Sequence, residues 1–184
     1  MADLTELCKI AQKYGTDKYP SYTPFYYELL KDKRESFRKI LELGTGCQRK
    51  MPHVFEYKSG ASLYMWRDFF PKAQIYGADI FTDAMVKNEE RIETFLCDER
   101  KEKHLLRLLQ KTGRDIDLFI DDAYHHPRFQ LFLFHTVMPL LKKDVIYIIE
   151  DALYLVREPE KFAGYNYQIL NTKSAKGIII KNKI

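Results

Sequence analysis

Short apolar or β-branched runs alternate along the chain with longer stretches whose apolar positions recur at helical spacing. The runs are Lys39–Leu43, Gln74–Asp79, Glu93–Cys97, Asp117–Asp121 and Val145–Glu150. Between them, Ser62–Phe70, Glu102–Lys111 and Arg128–Leu141 read as helices, the last starting just after Pro127, a residue suited to a first helical turn. Strand and helix in repeated alternation predict an α/β fold: a doubly wound, Rossmann-like, mostly parallel sheet covered on both faces. Tyr167–Leu170 and Gly177–Ile180 predict a C-terminal antiparallel hairpin that closes it. Upstream, Leu4–Lys13 and Pro24–Lys31 read as helices outside the repeat, joined by the polar, aromatic loop Tyr14–Tyr22. The expected organisation is a single domain over 1–184, with N-terminal helices and a loop in 1–34 and the core in 35–184.

Several runs end in acidic residues: Asp79, Asp121 with Asp122, and Glu150 with Asp151. Ligands of open α/β sheets bind outside the carboxyl ends of the strands, so these carboxylates are expected to converge on one edge. After the first run, Glu42-Leu43-Gly44-Thr45-Gly46 gives E-x-G-x-G, whose glycines permit positive φ and close approach of backbone N–H groups to a ligand. Alone the motif is weak, because many strand-to-helix turns use glycine. Asp79, ending the second run, suits the two hydroxyls of a ribose, with a plain strand-end cap as the alternative. Its distance from the glycines exceeds the roughly 20 residues of a dinucleotide fingerprint, and the segment Cys47–Gly60 reads as an insertion that accounts for the excess.

Composition narrows the class. A chain of 184 residues with 46% apolar and 30% charged residues suits one globular domain and excludes a disordered one. The net charge of +4 is modest and the basic residues are scattered among 26 acidic ones, so no nucleic-acid partner is expected. Cys8, Cys47 and Cys97 form no paired spacing, which argues against a disulfide framework or zinc site and for a reducing, cytoplasmic setting. No apolar run reaches the roughly 18 residues of a membrane span, and Met1–Lys13 lacks a signal-peptide core, so a soluble protein without membrane contact is expected.

Six stretches carry a resemblance: Lys13–Lys18 (KYGTDK), Leu41–Gly46 (LELGTG), Ser59–Ala73 (SGASLYMWRDFFPKA), Ile75–Ile80 (IYGADI), Phe119–Pro127 (FIDDAYHHP) and Tyr147–Ala152 (YIIEDA). Together they resemble the metal-dependent sugar O-methyltransferases of macrolide biosynthesis, the mycinamicin and macrocin type, over about Lys13–Leu153. The resemblance implies a class I methyltransferase fold and S-adenosylmethionine as cofactor. It implies that Glu42, Gly44 and Ser62 hold the methionine part, that Asp79, with Ile80 beside it, takes the ribose, Asp98 the adenine edge and Asp121 the α-amino group, and that Tyr14 and Thr16 close over the cofactor. This chain departs from the family pattern at Tyr19-Pro20-Ser21, where Gly and His are frequent, and at Glu99, where Gln is frequent.

Methyl transfer to an aliphatic hydroxyl needs alignment of the oxygen with the methyl group and help in losing its proton. A divalent cation, Mg²⁺ or Mn²⁺, can orient such a hydroxyl and lower its pKa, and Asp122, Glu150 and Asp151 are the expected ligands. His125, three residues beyond Asp122, is the expected general base, a role the resemblance also implies, while His126 is expected to face elsewhere. The expected acceptor is a hydroxyl of a sugar, a deoxyhexose in a glycan or glycosylated natural product. Alternatives are a catechol or phenol O-methyltransferase and a non-catalytic cofactor-binding partner domain; ribose methylation on nucleic acid lacks its Lys-Asp-Lys-Glu set and basic cleft. Tyr19–Tyr27 and Leu153–Tyr167, aromatic and outside the repeat, are the expected acceptor-side loops, and the sequence leaves room for a homo-oligomer.

Overall fold

A computed structural model describes residues 4–52 and 56–183. The first three residues of the N-terminal region and 53–55 of the Cys47–Gly60 segment lie outside the described residues. Helices α1 (Glu6–Tyr14) and α2 (Thr23–Leu30) precede β1 (Lys39–Leu43), α3 (Ala61–Phe69), β2 (Gln74–Asp79), β3 (Ile92–Leu96), α4 (Glu102–Thr112), β4 (Leu118–Asp121), α5 (Pro127–Val137) and β5 (Ile146–Ile149). The chain then forms β6 (Tyr165–Asn171) and β7 (Lys176–Lys183).

The seven strands lie in the order β3-β2-β1-β4-β5-β7-β6. β1 to β5 are parallel, β7 is antiparallel to β5, and β6 is antiparallel to β7. The expected doubly wound sheet and closing hairpin are therefore present, the hairpin longer than its two apolar runs. The third strand starts one residue earlier than its pattern suggested. The α-helix expected over Arg128–Leu141 ends at Val137 and tightens into a 3₁₀ turn at Met138–Leu140, where Pro139 has no N–H to continue the α-helical ladder.

Helix ends follow local chemistry. Thr5 Oγ1 accepts from the backbone N–H of Cys8 to start α1, and Gly15, left-handed at φ 67°, ends it. His126 caps α5 by accepting from Arg128 N at 3.3 Å.

Side chains alternate across each strand, so the sheet divides two cores. Ile40, Leu118, Ile120, Ile146 and Ile148 pack with Leu7, Tyr26, Leu63 and Trp66 of α1, α2 and α3. Leu41, Phe119, Tyr147 and Ile149 pack on the other side with Leu105, Leu109 and Phe134 of α4 and α5. Each fully buried side chain of this size contributes roughly 1.5–3 kcal/mol. The same alternation continues past the strand ends and decides which face each acidic residue takes.

Candidate active site

β1 has β2 on one side and β4 on the other, so the winding reverses between β1 and β4 and opens a crevice at their carboxyl ends. A cavity of about 550 Å³ occupies it. Gly44 forms its floor in the left-handed region at φ 86°, and a Cβ there would collide with the backbone carbonyl of Asp122. Glycine is thus required at this turn for conformation and for close approach of two strand ends. Asp79 holds the glycine turn: Oδ2 accepts from Thr45 N at 3.1 Å and Gly46 N at 3.3 Å, and Oδ1 from Phe81 N at 2.9 Å.

Of the cofactor residues expected from sequence, Gly44, Ser62, Asp79 and Ile80 line this cavity. Tyr14, Thr16, Glu42, Asp98 and Asp121 are outside its lining. Tyr14 donates to Asp68 Oδ2 at 2.6 Å and stacks on Tyr64. Thr16 is buried, and its hydroxyl accepts from Lys18 N at 3.4 Å. Glu42 is fully buried and accepts from Ser62 Oγ at 2.6 Å and from Trp66 Nε1. Asp98 pairs with Arg100 at 2.8 Å and Lys101 at 3.3 Å, and the Arg100 guanidinium holds its carboxyl down at about 2. Glu99, the neighbour not assigned from sequence, lines the cavity instead, and burial raises its pKa.

The paired acids separate by face. Asp121 follows Phe119 and Tyr147 toward the α4–α5 side, buried, with Oδ2 unpartnered and its pKa pushed well up by burial. Asp122 and Glu150 take the opposite side, toward α1–α3. There the ammonium of Lys18, only 1% exposed, lies 2.7 Å from Asp122 Oδ2, 2.8 Å from Glu150 Oε1 and 3.5 Å from Glu42 Oε1. Burial alone would lower the Lys18 pKa; Asp122, Glu150 and Glu42 hold it well above the ordinary lysine value. Burial raises both carboxyls: Asp122 is pushed up further by the charge of Glu150, and Glu150, pushed up further by Glu42 against the pull of Lys18, reaches about 7.

On the cavity side of Asp122 a second cluster forms. Asp122, His125 and Asp151 can each place one ligand atom within 4.8 Å of the others. His125 Nε2 is 3.6 Å from Asp151 Oδ2. Burial lowers the His125 pKa, opposed by Asp151, so the imidazole is neutral at pH 7. Asp151 sits at φ 47°, unusual for a residue with a Cβ. Tyr22 holds it there: its hydroxyl accepts from Asp151 N at 2.9 Å and reaches Asp151 Oδ1 at 2.8 Å. His126, as expected, points away, capping α5 and stacking on Tyr124.

Three of the four expected metal and catalytic residues, Asp122, Asp151 and His125, therefore meet at the cavity, whereas Glu150 lies behind them against Lys18. Two carboxylates beside an open crevice fit a hard divalent cation, with the His125 imidazole next to them as a proton acceptor, and the glycine-floored cavity with Asp79 at its rim fits a nucleoside. Lys18 and Tyr22 were missed from sequence; both lie in the Tyr14–Tyr22 loop, where the KYGTDK stretch was a signal for Lys18 and nothing local marked Tyr22 as the support of Asp151. Of the expected acceptor loops, Tyr22 and Tyr26 point inward, while Leu153 and Tyr154 are more than half exposed beside Asp151.

No family model matches the chain. It is 33% identical over 149 residues to the mycinamicin VI 2''-O-methyltransferase of Micromonospora griseorubida, covering 79% of this chain and 36% of that enzyme. It is 31% identical over 149 residues to the demethylmacrocin O-methyltransferase of Streptomyces fradiae, again 79% of this chain and 36% of the relative. The chain thus spans about a third of the length of the curated relatives it matches. The MycE methyltransferase of the mycinamycin pathway, solved with Mg, SAH and mycinamycin VI, superposes with a TM-score of 0.77 at 24% identity, over 97% of this chain and 54% of that one. An O-methyltransferase from Bacillus cereus with SAH superposes with a TM-score of 0.62 at 14% identity, over 100% and 93%. Among the described residues no helix is long and apolar enough to cross a membrane.

Proposed function

Because this chain is a class I methyltransferase domain resembling the macrolide and deoxysugar O-methyltransferases, we propose that it transfers a methyl group from S-adenosylmethionine to a hydroxyl of a sugar. The acceptor we favour is a deoxyhexose of a glycosylated natural product or glycan. The observation that carries the reading is the meeting of Asp122, His125 and Asp151 at the mouth of the crevice beside Gly44.

Gly44, Ser62, Asp79 and Ile80 would receive the cofactor, with Glu99 rather than Asp98 facing the adenine edge, since Asp98 is held by Arg100 and Lys101. Asp122 and Asp151 would hold a divalent cation, Mg²⁺ or Mn²⁺, with Glu150 steadying Asp122 through Lys18. The cofactor supplies an electrophilic methyl group, and a bound cation lowers the pKa of an alcohol held against it. His125, neutral at pH 7, accepts the hydroxyl proton at Nε2, and the imidazolium then faces the Asp151 carboxylate. With the proton on His125, the acceptor oxygen would take the methyl group and S-adenosylhomocysteine would be the leaving group. Leu153 and Tyr154 give the acceptor an apolar rim. A reducing, cytoplasmic setting belongs to the same reading, as Cys8, Cys47 and Cys97 are all free and buried.

The deciding experiment incubates the protein with S-adenosylmethionine and a panel of deoxyhexosyl acceptors, with Mg²⁺ or with EDTA, and follows a mass gain of one methylene. Transfer that needs the cation supports the reading. An undiminished rate in EDTA, also in Asp122→Ala, would remove the cation from it, and tight SAH binding without transfer to any glycan would favour a cofactor-binding partner domain.

A further inference from the structure

Lys18 touches neither the cofactor cavity nor the acceptor side, yet it is buried among charges that the site depends on. Its backbone is fixed independently: its carbonyl accepts from Tyr22 N at 2.8 Å and Thr23 N at 3.1 Å, so the residue is built into the entry of α2. Its ammonium reaches one carboxylate from each of three neighbouring strand ends, Glu42 of β1, Asp122 after β4 and Glu150 after β5. Glu42 already has the donors of Ser62 and Trp66. The inward oxygens of Asp122 and Glu150 meet Lys18. Removing charged groups from water is costly unless they are paired, and the Lys18 ammonium is the cation that meets the inner side of this carboxylate cluster. The outer edge, formed by Asp122 and Asp151, is left for the proposed divalent cation.

We propose that Lys18 is a resident counter-ion: its ammonium fills the inner half of the carboxylate cluster in place of a second cation and holds Asp122 so that its outer side faces Asp151. Lys18 is a positioning residue in this account. The inner half stands on the geometry alone, and only the outer half rests on the proposed cation.

The test compares melting of the wild type, Lys18→Met and the double variant Lys18→Met/Glu150→Gln, in EDTA and in saturating MnCl₂, without cofactor or acceptor. In EDTA, Lys18→Met melts lower by roughly 10 °C, because Asp122 and the buried Glu150 lose their shared partner. Mn²⁺ raises its melting temperature by more than that of the wild type, since the vacated carboxylates now attract a cation. The double variant recovers at least half of the loss and shows no enlarged Mn²⁺ response. A Lys18→Met protein within about 2 °C of the wild type in EDTA, or one whose Mn²⁺ response equals the wild type's, overturns the proposal. If Lys18→Met does not fold, the double variant decides: a folded double variant supports the counter-ion role and an unfolded one overturns it. A wild type indifferent to Mn²⁺ beside a strongly responding Lys18→Met would sink the outer cation site while leaving Lys18 in its role.

Discussion

His125 Nε2 and Asp151 Oδ2 lie 3.6 Å apart, although one side chain leaves the loop after β4 and the other the turn after β5. The pairing brings a neutral imidazole to the carboxylate that Tyr22 anchors, at the cavity mouth where an acceptor hydroxyl would enter.

Replacing His125 by Gln removes the proton acceptor and leaves the cavity floor intact. Turnover is expected to fall by about 10²–10⁴-fold, while SAH binding measured by calorimetry stays within about threefold of the wild type. An equal loss of SAH affinity would reassign the residue to cofactor binding.

Gly44→Ala should be severe. The new Cβ meets the Asp122 carbonyl in a left-handed turn, at a combined cost of about 2–4 kcal/mol. The expected outcome is a lower melting temperature together with loss of SAH binding, because the displaced Asp122 backbone belongs to the same crevice.

Tyr22→Phe removes the hydroxyl that satisfies Asp151 N and steadies its carboxylate. A cost of about 1–3 kcal/mol in stability is expected from the unpaired N–H. Cation affinity, read by titration with Mn²⁺, should weaken by about 10-fold or more, as for other residues that orient metal ligands. Unchanged affinity would show that Asp151 holds its place without Tyr22.

Asp68 of α3 reaches α1 through Lys13 at 2.8 Å and Tyr14 at 2.6 Å, and pairs with its neighbour Arg67 at 3.0 Å. Burial would raise its pKa, but Lys13, Tyr14 and Arg67 outweigh that and bring it to about 2. A carboxylate whose pKa is depressed on folding adds stability above its unfolded value, and loses it as pH falls toward the folded one. Asp68→Asn should therefore cost about 1–2 kcal/mol at pH 7, by denaturant unfolding, and flatten the acid limb between roughly pH 4 and 2. A wild-type acid limb in the variant would show that another carboxylate governs it.

The alternation of apolar runs and helical stretches was enough to specify this architecture, because strand burial on both faces and helical period are written in consecutive residues. It also located the acidic strand ends, since a residue that ends an apolar run in a parallel sheet must lie at one edge. Which face each acid takes was decided only in three dimensions. Asp121 and Asp122 are neighbours in sequence, but the two-residue period of the strand sends one toward α5 and the other toward α3. Lys18 lies 132 residues from Glu150 along the chain, and no local pattern records their contact at 2.8 Å. It arises because α1 and α2 pack on the sheet and carry the loop between them over the carboxyl ends of β1, β4 and β5. That packing places an ammonium behind the carboxylates, and so leaves Asp122, Asp151 and His125 at the open side of the cluster.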